Sequence, residues 1–112
     1  MESQKTRQEN QLLFDEVKEI ADAYFYATER IRRKRRDCLK DADSDDDQYL
    51  KYVRKVTRAF QSLDFVEQTF INNEFFYQAY ARWWEKLYSR TSFYRIRLRS
   101  MRHFKEAVNN AL

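Results

Sequence analysis

A chain of 112 residues is the length of one domain and can bury a core without disulfides or a metal. Two Trp, eight Tyr and nine Phe supply that core, while Gly and Pro are both absent; ordinary usage would give about 8 and about 6. Those zeros exclude Gly-dependent phosphate loops, the dinucleotide fingerprint and the nucleophile elbow, they disfavour tight hairpins, and the net charge of +4 leaves a mildly basic, all-helical chain.

Cysteine and histidine narrow the chemistry further. Cys38 and His103 stand alone, so neither an internal disulfide nor a paired-histidine zinc site can form. Ser89 has no neighbouring histidine to act as its base, and no catalytic residue, metal or cofactor is expected. No apolar run approaches the roughly 18 residues of a membrane span, and the N-terminus is polar. The expectation is a cytoplasmic protein that is neither an enzyme nor a membrane partner.

Residues 1–40 read as one long helix with a basic end. Leu13, Val17, Ile20, Tyr24, Ala27 and Ile31 recur by steps of four and three, a seam on one face. Leu12, Phe14, Ala21, Phe25 and Thr28 broaden it. Beyond Ile31 the stripe fails, and residues 30–40 carry seven basic groups against Asp37. Arg32, Arg33, Arg35 and Arg36 are candidate phosphate contacts there; a solvated helix end complementing the dipole is the alternative.

Residues 41–47, with five Asp, break the periodicity and read as an acidic linker. The run lacks the mid-loop Gly and closing Glu of a calcium loop. From residue 48 to 112 the chain resumes as a second unit of the same compact domain. Tyr49, Val53, Val56, Phe60 and Leu63 form the next seam, suited to an antiparallel return against the first helix. Asp64 with Glu67 predicts a capping box for a short helix carrying Phe65, Val66, Phe70 and Ile71. Asn72-Asn73 is the expected break, since Asn tolerates the left-handed conformation. A fourth helix over about residues 76–87 would bury Tyr80, Trp83, Trp84 and Leu87. A fifth, begun by a Ser89 or Thr91 cap, would run to about Asn109 with Phe93, Ile96, Ser100, Phe104 and Ala107 inward.

The last two helices carry the functional signal. Residues 82–106 hold eight basic groups against Glu85 and Glu106. A helix ending near Leu87, a turn at Tyr88 and a basic second helix have the layout of a helix-turn-helix. Arg90, Thr91, Tyr94 and Arg95, near the start of the second helix, would meet base edges. Arg97, Arg99, Arg102 and Lys105, farther along, would neutralise phosphates.

The pieces Tyr49-Leu-Lys-Tyr-Val53, Gln61-Ser-Leu-Asp64, the Phe/Ile-rich residues 65–76, Trp84-Glu-Lys-Leu-Tyr-Ser89 and Ser89-Arg-Thr-Ser-Phe-Tyr-Arg95 through Met101 together resemble region 4 of bacterial sigma factors. They are similar also to small phage regulators of the ArpU type and to an uncharacterised mycoplasma protein family. Tyr88 stands where that pattern carries Gly. The resemblance covers about the last 60 residues. It implies a transcription regulator that binds DNA, contacts RNA polymerase and associates with the nucleoid. The alternative is a protein-interaction module without sequence-specific DNA binding, docking onto polymerase or pairing with its own copy as a homodimer.

Overall fold

The computed structural model describes residues 4–36, 44–77 and 79–111, which form four α-helices and no strand. None of these helices is long and apolar enough to cross a membrane. The molecule measures 56 × 28 × 22 Å. Helix α1 (Gln4–Arg36) supplies the long dimension, because 33 residues at about 1.5 Å each reach roughly 50 Å.

Helix α2 (Ser44–Gln61) returns antiparallel along the C-terminal half of α1. The expected seams meet. Val17, Ala21 and Ala27 are buried from one helix, Val56 and Ala59 from the other. Tyr26 packs edge-on against Tyr49 at 5.7 Å, and the Tyr52 hydroxyl donates to the Ile20 carbonyl at 3.4 Å. Residues 44–47 begin α2 rather than extending the acidic linker: Ser and Asp are favoured in a helix's first turn, where free N–H groups and the dipole suit them. Residues 37–43, including Cys38 and Lys40, lie outside the described residues.

Asp64 starts α3 (Phe65–Ile71) through a complete capping box, accepting from the Glu67 N–H at 2.8 Å while the Asp64 N–H donates to Glu67 Oε1. The Gln68 amide then reaches back to the carbonyls of Phe60 and Leu63, at 3.2 and 3.1 Å, and satisfies the end of α2.

The α-helix ends at Asn72 as expected, but not through a left-handed residue. Asn72 stays right-handed (φ −61°, ψ −48°), and the helix widens into one π-helical turn, Asn72–Phe76, closed by the Tyr77 N–H on the Asn72 carbonyl at 2.6 Å. The wide turn lets Phe75 enter the core while Phe76 meets Tyr24, Phe60 and Phe104.

Residues 76–87 do not form the expected fourth helix; residues 81–87 are successive tight turns. The reason is aromatic. Trp83 and Trp84 both contact Phe93, the first edge-on at 6.5 Å and the second stacked at 4.2 Å. Neighbours in an α-helix point about 100° apart and would not share one ring so closely. Arg82 therefore takes φ 62°, at a cost of about 1–2 kcal/mol for a residue with a Cβ, and Trp83 enters the core with its indole N–H on Glu74 at 2.7 Å. Burial of two indoles outweighs the local periodicity.

Ser89 caps α4 (Arg90–Asn110) as expected, accepting from the Ser92 N–H at 3.2 Å. Phe93, Ser100 and Phe104 are buried, Ile96 and Ala107 half-buried. Met101 and Val108 add a flank that widens the inward face. Phe70, Ile71, Met101, Phe104, Val17 and Val56 make the centre of the core.

Candidate nucleic-acid interface

The buried side of α4 determines which of its basic residues remain outside. With Phe93, Ser100 and Phe104 inward, Arg90, Thr91, Tyr94, Arg95, Arg99 and Arg102 are exposed, and Arg97 and Lys105 are half-buried. The Ser89 cap holds the first turn of α4 at the surface, so Arg90, Thr91, Tyr94 and Arg95 form one outward patch over about a turn and a half.

That patch has a second wall. The start of α1 runs beside the start of α4 in the same direction, and Arg7, Asn10 and Gln11 face Thr91, Tyr94 and Arg95 across a groove of about 800 Å³. These three α1 residues were not legible as site residues, because they precede the apolar seam and resemble an ordinary solvated first turn.

The expected phosphate contacts divide by what already holds them. Arg102 is exposed and pairs with no acid among the described residues, as do Arg90 and Arg95. Arg97 lays its guanidinium over the Phe14 ring at 5.2 Å. Lys105 pairs with Glu16. Arg99 bridges two carboxylates, with Nε at 3.6 Å from Glu67 and a terminal nitrogen at 3.8 Å from Asp64. In α1, Arg32 and Arg33 pair with Glu29 at 3.8 and 3.3 Å. The side chains of Arg35 and Arg36 lie outside the described residues. Arg90, Thr91, Tyr94 and Arg95 are therefore brought together, whereas Arg97, Arg99, Lys105, Arg32 and Arg33 are spread over intramolecular contacts.

Glu67 organises the back of the site. Its carboxylate is buried, accepts from the Asp64 N–H, forms an ion pair with Arg99 and contacts His103 Nδ1. His103, exposed on α4, thus links α4 to α3. The Glu67 backbone N–H donated to Asp64, with Arg99 adding its charge, lowers the Asp64 pKa below the ordinary carboxylate value. Burial raises the Tyr52 pKa. Among the described residues, no cluster of three or more His, Cys, Asp or Glu is placed to hold a metal ion.

The expected helix-turn-helix has its second helix in α4 but not its first. The helix nearest before α4 in sequence that packs against it is α3, through Phe70 on Phe93 at 5.6 Å, with the turns of residues 81–87 between them. Comparison with family models, curated proteins and solved structures returned no match.

Proposed function

We propose that this chain is a DNA-binding regulator of transcription that reads duplex DNA with the first turns of α4. One observation carries the reading: Arg90 and Arg95 are exposed, flank Thr91 and Tyr94, and have no acid partner among the described residues, whereas Arg99 and Lys105 farther along do. An α-helix fits the major groove, and a guanidinium offers the forked donors that match guanine O6 and N7. Arg7 on α1 and Arg102 on α4 lie to either side and supply charge for the phosphates. The likeness to sigma region 4 favours the same role and names RNA polymerase as a partner. The test is binding of the full chain to a random duplex pool at low salt. Enrichment that Arg90→Ala/Arg95→Ala abolishes supports the proposal, and absence of any duplex binding, alone or with polymerase, overturns it.

A second reading, a helical docking module, is favoured by Phe65, which is 81 % exposed at the start of α3. A ring left so open suits a protein surface. Polymerase or a second copy of the chain would then be the partner, and Phe65→Ala would release it.

A further inference from the structure

Tyr77 and residues 79–88 present a second surface beside the start of α4. Tyr77 and Tyr80 are each 74 % exposed and Leu87 is 64 % exposed. With Asn73, Ala79 and Trp83 they border a groove of about 680 Å³. Among the described residues neither tyrosine ring packs on another ring and neither hydroxyl makes a hydrogen bond. The strained backbone at Arg82 is what turns Trp83 inward and leaves Tyr80 outside.

The charge around this groove is one-sided. Arg82, Lys86 and Arg90 are exposed along the same stretch. Glu74 is engaged by the Trp83 indole and Glu85 by Arg82 at 3.1 Å, which leaves Lys86 and Arg90 as the cations without an acid partner among the described residues. The occupant this suits is anionic and carries flat faces. An acidic peptide would meet the cations and leave both tyrosine rings without a stacking partner. A second copy of this basic chain would bring like charge to like charge.

We propose that Tyr77 and Tyr80 form a stacking site for the unpaired bases of single-stranded nucleic acid, with Lys86 and, at the edge shared with the α4 patch, Arg90 taking its phosphates. Aromatic rings beside a basic track bind single strands with little sequence preference, since every base has a π-face. Leu87 is three residues from Arg90, at most about 10 Å of chain, so the site adjoins the α4 patch. The protein then holds duplex on α4 and a separated strand on the tyrosines. This rests on the DNA-binding reading for its biological sense and not for its chemistry.

The experiment measures binding of labelled oligothymidylate and of a duplex of equal length to the full chain, with the fluorescence of Trp83 and Trp84 as a second readout. Tyr77→Ala/Tyr80→Ala is expected to weaken single-strand binding roughly tenfold or more and leave duplex binding unchanged. Tyr77→Phe/Tyr80→Phe, which keeps the rings, is expected to stay within about twofold of the unmutated protein. Single-strand affinity unchanged in the alanine variant, or equally lost in the phenylalanine variant, overturns the proposal. So does a concentration-dependent dimer that the alanine variant abolishes, because the patch then meets a second copy. Single-strand binding without duplex binding supports this site and overturns the function proposed for α4; the reverse result overturns only the tyrosine site.

Discussion

Arg97 rests its guanidinium 5.2 Å above the ring of Phe14, joining the two helices that flank the candidate interface. The same ring packs at a tilt against Phe75, 5.3 Å away. Phe14 therefore ties α4 to α1 and to the π-helical turn at once. Phe14→Ala should cost about 2–4 kcal/mol, since a half-buried ring is lost from both contacts. Arg97→Ala should cost only about 0.5–1 kcal/mol, the worth of a partly solvated cation on an aromatic face. Urea unfolding of both variants checks the ranking, and equal losses would contradict it.

Ser100 is fully buried, and its hydroxyl has no hydrogen-bond partner among the described residues. An unsatisfied buried hydroxyl opposes folding, whereas an alanine methyl of nearly the same size does not. Ser100→Ala should accordingly be neutral or stabilise the fold by about 1 kcal/mol. A shift of the urea midpoint to lower concentration would show that the hydroxyl is bonded in solution.

The helical seams were legible in the sequence because each is a single amphipathic stripe with a local cause. Leu13 through Ile31, Tyr49 through Leu63, the Asp64 and Glu67 capping box and the Ser89 cap all appear where the spacing put them. Residues 76–87 were not legible, because what shapes them is remote: Phe93 and Glu74 capture Trp83 and Trp84, and Arg82 bends to allow it. The same limit applies to the site. Arg90, Thr91, Tyr94 and Arg95 follow from the inward face of α4, but nothing local to Arg99 or Lys105 announces Glu67 or Glu16. Tyr80 was assigned to an apolar helix face and stands exposed.

Two groups give the stability opposite pH limits. The Asp64 carboxylate accepts the Glu67 N–H, and its pKa lies below the ordinary 3.8. A folded pKa below the unfolded one contributes stability that is present above 3.8 and lost as pH falls through the folded value. Tyr52 is the reverse case. Burial raises its pKa above 10.0, so its contribution is full below 10.0 and lost as pH rises through the folded value. Asp64→Asn should erase part of the acid sensitivity, and Tyr52→Phe part of the alkaline sensitivity. Unfolding free energies followed across both ranges test this, and a pH profile identical to the unmutated protein in either variant would refute that half.

The arginines of α4 should separate by chemistry when DNA binding is measured. Arg95, exposed in the second turn beside Tyr94, is placed for a forked contact with guanine. Arg95→Ala should cost about 1–3 kcal/mol on a selected duplex and relax preference at one base pair. Arg102, two turns on and without an acid partner among the described residues, should act on phosphate alone. Arg102→Ala should weaken every duplex alike and reduce the slope of log affinity against log salt by about one. Arg99 is the internal control, because Glu67 and Asp64 already hold it. Arg99→Ala should lower stability while leaving the salt slope nearly unchanged. A salt series on selected and scrambled duplexes, run on all three variants, distinguishes these outcomes; identical effects of Arg95→Ala and Arg102→Ala on both duplexes would mean that α4 contacts only the backbone.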